Sequence, residues 1–479
     1  MKKLSITKLA KILNATTEPR SEAESRFSGR ATSDYITGVS TDSRSTQPGD
    51  CFFAIIGPNF DGHNFLSDAF AKGAFCAVVC KDVSADQFPS KVILKVRDTI
   101  KALGDLAAWY RKECNFKVVA ITGSVGKTTT RQIVYHVLSN RFKTHQPTKN
   151  FNNFIGLPLT ILAAPADTQI LVLELATSSP GEIEYLSKIA SPDIALVTNV
   201  YPAHLAGFGS IEKIAVEKLS IAKGLSSKGT LIINADCPPL IDSARRAKLS
   251  LRTFSLSGAA DFTAKNVSLG PLVGNFTIDD VNVEIPLPGR GIIENALAAW
   301  AICSTLGVSA REFADTVKSF SPVSMRTELL QIGSLTVIND CYNANPASMK
   351  NALEILSRLA ADRKCRSAFI CGDMAELGPS EQNLHKQLGR LIAEANVNLL
   401  ITVGNLATLA ADTAKQANPA IATHKFADAA ELCNNLHNLI KDSDILLVKG
   451  SRVNKLETVV EKLTCPAKHK RSREVLRDL

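Results

Sequence analysis

Apolar positions along this chain follow two periods, and their alternation predicts an α/β protein. Short runs that are apolar at every position, such as 170–173, are typical of strands buried on both faces, as in parallel sheets. Stretches with apolar residues at helical spacing separate these runs. The central part of the chain is predicted to contain strands at 117–122, 170–176, 193–199, 230–236 and 251–256, antiparallel segments at 262–269 and 275–287, and a helix at 292–306.

A second series of buried runs begins near residue 321 and predicts another doubly wound unit, with strands at 335–339, 367–371, 399–403 and 444–448. Shorter strands and helices mix in the segment before the first series. A chain of 479 residues suits about three domains. We therefore predict a small α/β domain at 1–96, a central parallel-sheet domain at 97–320 and a C-terminal Rossmann-like domain at 321–479.

The composition argues against several classes of protein. Hydrophobic residues make up 45% of the chain and charged residues 21%, as in ordinary globular proteins. The net charge of +9 suits anionic ligands such as nucleotides, but no basic stripe interleaved with aromatic residues indicates a nucleic-acid partner. No apolar run approaches the ~18 residues that predict a membrane span. The 11 cysteines follow neither metal-site nor disulfide spacing, so we expect a cytoplasmic protein. We also expect a monomer.

A glycine-containing loop follows the first predicted strand of the central domain, in the sequence KVVAITGSVGKTTT (117–130). Glycines let backbone N–H groups surround phosphate oxygens, and the N-terminus of the following helix attracts anions. Lys127 would reach the β- and γ-phosphates, and the Thr128 hydroxyl would bind Mg²⁺. The loop is a shortened form of the common phosphate-binding pattern, and its alternative is a simple turn before a helix. The predicted ATP-binding residues are Gly123, Ser124, Val125, Gly126, Lys127, Thr128 and Thr129.

Two polar residues follow neighbouring strands of the predicted central sheet. Glu174 ends the strand LVLE, and the carboxyl end of a parallel strand beside the phosphate loop is where a Mg²⁺ ligand belongs. His204 lies in a loop after the strand at 193–199, at the same edge of the sheet. The alternatives are a solvent-facing carboxylate for Glu174 and a structural role for His204.

Lys218 occupies the apolar face of a helix that Ser210 can cap. The residue is four positions after Ile214 and seven after Ile211, so it points inward with the apolar set. One interpretation is a side chain whose ammonium reaches water at the edge of the core. The other is a desolvated amine of low pKa that reacts with CO₂ and so becomes a carboxylate-like Mg²⁺ ligand.

Further polar clusters occupy loops. The segment THQPTKNFNNFIGLP (144–158) contains three asparagines, which either bind an oxygen-rich substrate or make turns. In the third domain, NDCYNANP (339–346), CGDMAELG (371–378) and LLVKGSR (446–452) each follow a predicted strand. Because such loops share one edge of a sheet, they predict one binding face, and the crevice between the two sheet-containing domains is its expected location.

Through the full set of its motifs, the chain resembles the Mur ligases, the ATP-dependent amide-forming enzymes of peptidoglycan synthesis. The resemblance extends over nearly the whole chain. The motifs that carry it are STDSR (40–44), GDCFFAIIGPNFDGHNF (49–65), TGSVGKTTT (122–130), NFNNFIGLPLT (150–160), SPGEI (179–183), TNVYPAHLAGFGS (198–210), NAD (234–236), LPGR (287–290), NALAA (295–299), DCYNANPASM (340–349), GDMAELG (372–378) and VKGSR (448–452).

The resemblance implies substrates, cofactors and roles. The substrates would be ATP, UDP-N-acetylmuramoyl-tripeptide and D-alanyl-D-alanine. Besides the phosphate loop, the implied nucleotide contacts are Asn295 at adenine and Arg326 and Asp340 in the third domain. Magnesium would be held by Thr128, Glu174, His204 and a carbamylated Lys218, and the catalytic residues would be Lys127, Lys218 and His204. The implied substrate contacts are Ser43 and Arg44 for the uridine nucleotide and Thr148, Asn150 and Asn153 for the muramoyl peptide.

The chain departs from the family pattern at two places. It has Gly289-Arg290-Gly291-Ile292 where the family usually reads GRHN. After Glu174 it has Leu175-Ala176-Thr177-Ser178-Ser179, where glycine with asparagine or histidine is commoner. Two alternative functions stay open: a folylpolyglutamate synthetase-like ligase, against which STDSR argues, and a degenerate nucleotide-binding scaffold, which only the GRHN departure favours. The sequence leaves open whether the third residue of the peptide is diaminopimelate or lysine.

Overall fold

The computed structural model describes residues 1–18, 35–84, 87–88, 91–148, 150–203 and 205–465, and its strands form five sheets. Three of these sheets are mainly parallel, with five, seven and six strands. The α/β class predicted from the sequence is confirmed. Within the described residues, no helix combines the length and the apolar character that crossing a membrane requires.

The N-terminal part of the chain contains the five-stranded sheet and a separate two-stranded one. The larger sheet has the order β2-β7-β6-β5-β4 and is parallel except between β2 and β7, while β1 pairs with β3. The elements are β1 (Leu4–Ser5), α1 (Ile6–Leu13), β2 (Thr16–Glu18), β3 (Tyr35–Ile36), β4 (Gly38–Ser40), β5 (Asp50–Phe53), a 3₁₀ turn (Gly62–Phe65), α2 (Leu66–Ala71), β6 (Cys76–Val79) and β7 (Val92–Lys95).

Seven parallel strands form the central sheet, in the order β14-β13-β12-β11-β8-β10-β9. The strands are β8 (Lys117–Thr122), β9 (Thr144–His145), β10 (Ile170–Glu174), β11 (Ile194–Val197), β12 (Thr230–Asn234), β13 (Arg252–Ser255) and β14 (Phe262–Thr263). All residues of β10 and β11 are buried, as expected of strands covered on both faces. Their carboxyl ends flank that of β8, where the phosphate loop begins.

Helices surround this sheet. They are α3 (Thr99–Cys114), α4 (Lys127–Ser139), α5 (Gly156–Ala163), α6 (Glu182–Ala190), α7 (Leu205–Phe208), α8 (Ile211–Leu219), α9 (Pro238–Arg246), α10 (Arg290–Thr305) and α11 (Ala310–Val317), with a 3₁₀ turn at Ser220–Gly224. Asp98 caps α3 by accepting hydrogen bonds from the N–H groups of Ile100 and Lys101, at 2.8 and 3.0 Å. Ser210 caps α8, as the sequence predicted.

The two alternating segments of the central region differ from their prediction in detail. The segment 262–269 divides into β14, which extends the parallel sheet, and β15 (Lys265–Leu269). The segment 275–287 is a hairpin of β16 (Gly274–Ile278) and β17 (Val281–Ile285), and the order β15-β16-β17 is antiparallel. Asp279 and Asp280 both have positive φ, the geometry of the tight turns that join twisted strands. Alternation continues across so short a turn, which is why the sequence predicted one segment.

The third sheet has the order β18-β19-β23-β20-β21-β22, and among these described strands only β18 is antiparallel to its neighbour. Its elements are β18 (Glu328–Ile332), β19 (Leu335–Asn339), α12 (Pro346–Arg363), β20 (Ser367–Gly372), a 3₁₀ turn (Gly378–Ser380), α13 (Glu381–Glu394), β21 (Leu399–Val403), α14 (Ala407–Ala417), β22 (Ala422–Phe426), α15 (Ala429–Leu439), β23 (Ile445–Lys449), a 3₁₀ turn (Arg452–Asn454) and α16 (Glu457–Thr464). The loops after β19 and β23 face the carboxyl edge of the central sheet.

Candidate nucleotide-binding site

A cavity of about 550 Å³ lies between the carboxyl edge of the central sheet and the third sheet. It is bounded by the phosphate loop, the ends of β10 and β11, the start of α10 and the start of α12. The residues predicted from the sequence that line it are Ser124, Val125, Gly126, Lys127, Thr128, Thr129, Glu174, Asn295, Arg326 and Asp340. The crevice expected between two sheet-containing domains is therefore where these residues meet.

Two glycines determine the shape of the phosphate loop. Gly123 and Gly126 have φ angles of +150° and +85°, and residues with a side chain rarely adopt such backbone angles. A Cβ atom on Gly126 would lie 2.1 Å from the Asn295 Oδ1 atom, and one on Gly123 would lie 1.9 Å from the Thr198 Oγ1 atom. The helix α4 begins directly after this loop, and no side chain of the described residues caps it. Its first-turn N–H groups are therefore left for an anion.

Asn199, at the end of β11, holds the loop from the other side. Its backbone carbonyl accepts a hydrogen bond from Ser124 N–H at 3.0 Å, and its side-chain Oδ1 accepts one from Val125 N–H at 2.9 Å. The Thr198 hydroxyl donates to the Val125 carbonyl at 2.7 Å. The sequence analysis did not assign a role to Asn199, because only the fold brings residue 199 to the loop.

Lys127 folds back over the loop. Its ammonium donates to the Gly123 carbonyl at 2.8 Å, so the side chain lies across the residues that would surround phosphates. Desolvation of the amine lowers the pKa of Lys127, an effect that Arg326 increases and Glu174 opposes. A phosphate in the cavity would place a negative charge beside this amine and so favour its protonated form.

Glu174 is 3% exposed and is contacted from several sides. Thr128 Oγ1 donates to one carboxylate oxygen at 2.8 Å and Asn152 Nδ2 to the other at 3.0 Å. The Nε atom of Arg131 is 3.6 Å from the first oxygen and is buried without a hydrogen-bond partner among the described residues. Although burial opposes its ionisation, Lys127 and the two arginines Arg326 and Arg131 keep the pKa of Glu174 below its ordinary value.

These contacts fit a magnesium ion. A threonine hydroxyl and an ionised carboxylate are hard oxygen ligands, and they touch each other at the mouth of the loop. Asn152, which the sequence analysis grouped with its neighbours but did not single out, orients the carboxylate. No cluster of three acidic, histidine or cysteine side chains suited to a metal is found in the described part of the chain. His204 lies outside the described residues, so its predicted role as a ligand stays a prediction.

Lys218 is 3% exposed, which contradicts the interpretation that its ammonium reaches water. It shares the inner face of α8 with Ile214 and Ala215, as the helical spacing predicted. Burial and the nearby charge of Lys127 lower the pKa of Lys218 to about 7, while Glu217 opposes the shift. The Glu217 carboxylate accepts hydrogen bonds from Gly181 and Ile183 N–H at 2.7 and 2.8 Å and so caps α6.

The third sheet contributes a second set of charged groups. Asp340, at the end of β19, accepts hydrogen bonds from Lys449 Nζ at 2.6 Å and from Thr327 N–H at 3.1 Å. The Arg326 guanidinium stacks on the Tyr342 ring at 4.1 Å, and the Tyr342 hydroxyl accepts a hydrogen bond from Asn150 of the central region. Asn150 therefore contacts the third sheet instead of lining the cavity.

The opposite wall of the cavity contains a carboxylate that the sequence analysis missed. Glu294 precedes Asn295 in the first turns of α10 and accepts a hydrogen bond from Asn234 Nδ2 at 2.6 Å. Burial raises the pKa of Glu294 to about 7, with Asp236 contributing in the same direction. No sequence motif marks Glu294, because its partner Asn234 lies 60 residues earlier in the chain.

Four predicted substrate residues lie elsewhere. Arg44 is 87% exposed and pairs with Asp42, whose pKa it lowers to about 2. Ser43 is buried beside it, in the N-terminal sheet region. Thr148 is exposed in the loop between β9 and α5. Asn153 Oδ1 accepts hydrogen bonds from Ile155 and Gly156 N–H, so this side chain orders the start of α5.

Comparisons with known proteins identify the family. Residues 35–111 match the Mur ligase family catalytic domain, residues 121–303 the Mur ligase middle domain and residues 325–452 the Mur ligase glutamate ligase domain. The resemblance inferred from the motifs is confirmed.

Individual relatives cover most of the chain. UDP-N-acetylmuramoyl-tripeptide–D-alanyl-D-alanine ligase of Bacillus subtilis is 35% identical over 89% of this chain and 93% of its own. Among solved structures, MurF from Acinetobacter baumannii has a TM-score of 0.86 at 30% identity, covering 97% of this chain and 99% of its own. MurF ligase from Thermotoga maritima, in complex with ADP, has a TM-score of 0.77 at 28% identity, covering 89% and 97%.

The alternative family is structurally more distant. Folylpolyglutamate synthase of Mycobacterium tuberculosis, complexed with ADP, has a TM-score of 0.59 at 14% identity, covering 76% of this chain and 93% of its own. Identity this low supports a shared fold and nothing finer.

We predict that Gly126→Ala weakens nucleotide binding by roughly tenfold or more, because the new methyl group meets Asn295 and the backbone must leave positive φ. Calorimetric titration of the full chain with Mg·ADP measures the effect. Gly307→Ala is the matched control, since Gly307 also has positive φ (+82°) but its Cβ would meet no atom of the described residues within 4 Å. Equal affinities in the two variants would contradict the role of this close contact.

Proposed function

Because the chain belongs to the Mur ligase family, we propose that it joins D-alanyl-D-alanine to UDP-N-acetylmuramoyl-tripeptide, with cleavage of ATP to ADP and phosphate. The observation that carries the proposal is the phosphate loop, whose Lys127 and Thr128 face Glu174 in a cavity shared with the third sheet. The names of the relatives supply the substrates. Their similarity over most of the chain supports the same reaction in this protein.

The reaction needs ATP because a free carboxylate is a poor acylating agent. Attack of the peptide carboxylate on the γ-phosphorus forms an acyl phosphate and releases ADP. The free amine of D-alanyl-D-alanine then attacks the acyl carbon, loses a proton, and phosphate leaves the tetrahedral intermediate as the amide forms. The protein must stabilise the negative charge that spreads over the phosphoryl oxygens and must exclude water from the acyl phosphate.

The described residues suit both tasks. Lys127 is held over the loop by the Gly123 carbonyl and would move to the β- and γ-phosphates. The N–H groups at the start of α4 would stabilise the same oxygens. Contacts across the cavity, such as that between Asn351 Oδ1 and Gly291 N–H at 3.2 Å, support a closed arrangement that keeps water out.

Magnesium would be held by Thr128 and Glu174, with His204 as a further candidate. When bound, the ion would neutralise phosphate charge and favour the leaving group. The inward position of Lys218 supports its carbamylation, because a buried amine of lowered pKa is partly neutral near pH 7 and can react with CO₂. The carbamate would supply a further anionic group near Lys127.

The substrate contacts are assigned through the family. Ser43 and Arg44 would bind the uridine nucleotide, and Thr148, Asn150 and Asn153 would lie along the path of the muramoyl peptide. The third domain would supply most of the dipeptide site.

An assay of phosphate release from ATP tests the function. We expect release that depends on both UDP-N-acetylmuramoyl-tripeptide and D-alanyl-D-alanine, with peptides containing diaminopimelate and lysine compared at the third position. Release that depends on a folate and glutamate would instead identify a folylpolyglutamate synthetase-like ligase. Binding of ATP without turnover on any of these substrates would support a scaffold.

We predict that Lys127→Ala lowers kcat by roughly 10²–10³-fold, by analogy with the loss of a donor that stabilises a developing oxyanion. Steady-state ligation kinetics measure the effect. Lys117→Ala removes a similar side chain from an exposed position ten residues earlier and serves as the control. A kcat for Lys127→Ala close to that of the control would exclude the ammonium from the mechanism.

We predict that Lys218→Ala loses nearly all activity and that short carboxylic acids partly restore it, because they can occupy the space of the missing carbamate. Lys213→Ala, on the exposed face of the same helix, should remain active and show no response to the acids. Ligation rates with increasing acid concentration provide the measurement. Full activity of Lys218→Ala would leave this lysine a structural residue.

A further inference from the structure

Arg131 lies on the buried face of α4, one turn after Thr128, and connects two parts of the site. Its side chain is 3% exposed. The Nη1 atom donates hydrogen bonds to Gln146 Oε1 at 2.7 Å and to the Pro147 carbonyl at 3.2 Å. The Nε atom faces Glu174, at 3.6 Å from its Oε2 atom. One guanidinium therefore contacts both the loop after β9 and the carboxylate proposed to bind magnesium.

The loop that Arg131 contacts carries residues assigned through the family to the muramoyl peptide. We call residues 146–148 and 150–153 the asparagine loop. Thr148 and Asn150 are exposed on this loop, where a large substrate could reach them. The hydrogen bonds from Arg131 end one and two positions before Thr148. Arg131 therefore holds the asparagine loop directly before its exposed side chains.

The other end of the asparagine loop is attached to the same carboxylate. Asn152 lines the cavity, and its Nδ2 atom donates to Glu174 Oε1 at 3.0 Å. The Asn152 backbone carbonyl accepts a hydrogen bond from Ala176 N–H at 3.0 Å. Arg131 approaches the second carboxylate oxygen, Oε2. The asparagine loop is thus held at both ends around Glu174, once directly and once through Arg131.

The Nε–H group of Arg131 is buried and has no hydrogen-bond partner among the described residues. Glu174 Oε2 already accepts a hydrogen bond from Thr128 Oγ1 at 2.8 Å. A carboxylate oxygen can accept two hydrogen bonds, so a small approach of Arg131 would complete a second one. Because the guanidinium is planar and rigid, a shift of Glu174 would then also move the contact with Gln146.

We propose that Arg131 is a positioning residue for the muramoyl-peptide substrate. Its guanidinium fixes the asparagine loop relative to Glu174, so that the peptide carboxylate meets the terminal phosphate in a reactive geometry. This inference rests on the proposed function for its substrate. Arg131 acts through the loop and does not itself contact the substrate, since its side chain is buried.

Arg131→Lys separates the charge of this residue from its hydrogen bonds. Lysine keeps a positive charge near Glu174, but its single nitrogen cannot reproduce the planar fork that contacts the loop and the carboxylate together. We expect the KM for UDP-N-acetylmuramoyl-tripeptide to rise roughly tenfold, the scale of one lost hydrogen bond to a charged group. The KM for ATP should stay nearly unchanged, because the charge beside Glu174 is retained.

Gln146→Ala removes the same contact from the side of the loop. It should raise the KM for UDP-N-acetylmuramoyl-tripeptide to a similar degree and leave the KM for ATP unchanged. The double variant Arg131→Lys/Gln146→Ala should be little worse than either single variant, because both substitutions break one interaction. Steady-state ligation kinetics, with each substrate varied in turn, provide these comparisons.

Arg111→Lys is the matched control, because Arg111 is another buried arginine of the central domain. Its guanidinium donates to the Ala190 and Ser191 carbonyls at 3.2 and 3.0 Å and pairs with Asp193 at 2.9 Å. These partners precede β11, at the amino edge of the central sheet, whereas the cavity lies at the carboxyl edge. Arg111→Lys should lower the melting temperature and leave both KM values unchanged.

A binding measurement gives a second readout that does not require turnover. Each full-length variant is titrated calorimetrically with UDP-N-acetylmuramoyl-tripeptide in the presence of a non-hydrolysable Mg·ATP analogue. The affinity for the muropeptide should fall in Arg131→Lys and in Gln146→Ala, but not in Arg111→Lys. The affinity for Mg·ADP, titrated separately, should be the same in all three variants as in the unmodified chain.

Three outcomes overturn the inference. A role of Arg131 in the nucleotide site alone would raise the KM for ATP and weaken Mg·ADP binding, with the muropeptide affinity unchanged. A purely structural role would lower the melting temperature of Arg131→Lys and leave both KM values unchanged. Additive losses in the double variant would mean that Arg131 and Gln146 act independently.

Failure of the proposed function is a separate result. An unmodified chain that binds the muropeptide without ligating it would refute the proposed function, and the titrations would still decide the role of Arg131. An unmodified chain that does not bind the muropeptide would overturn the inference as well.

Discussion

The pairing of buried opposite charges at Glu174 is the interaction on which the site depends. A carboxylate 3% exposed stays ionised because Lys127, Arg131 and Arg326 surround it. The cations outnumber the carboxylate, however, and burial together with the charge of Lys127 lowers the pKa of Lys218. The site is therefore short of negative charge, and a nucleotide triphosphate is an anion that would supply it. Thr128 and Glu174 would hold a magnesium ion, whose positive charge would offset part of the negative charge of the triphosphate.

This charge balance also involves the third sheet. Arg326 acts on Glu174 from a segment that precedes β18, while its guanidinium stacks on Tyr342 at 4.1 Å. Asn150 donates to the Tyr342 hydroxyl, which connects the central region to the same group. Movement of the third sheet would therefore change the number of cations around Glu174. Binding of an anion and closure of the cavity are expected to favour each other, because both complete the same electrostatic environment.

The sequence predicted the buried strands well, and those at 117–122, 335–339 and 399–403 have the predicted limits. Such strands are apolar at nearly every position, and no tertiary information is needed to recognise them. The edge strands β18 and β22 were missed because one side of each is partly exposed and polar. In the site, the loop and Glu174 were predictable from local spacing. The contacts of Asn199 and Glu294 were not, because they join elements distant in sequence.

The departure at Gly291-Ile292 is consistent with the geometry of the cavity. Gly291 N–H donates to Asn351 Oδ1 at 3.2 Å, and a Cβ atom at this position would lie 3.2 Å from the same amide. A small residue is therefore suited to a close contact between α10 and α12. Ile292, in the first turn of α10, is 7% exposed and packs in the core of the central domain. Both residues line the cavity, but the described hydrogen bonds of the phosphate loop and of Glu174 go to other partners. The departure therefore changes how the two halves of the cavity meet and leaves the contacts of Lys127, Thr128 and Glu174 in place.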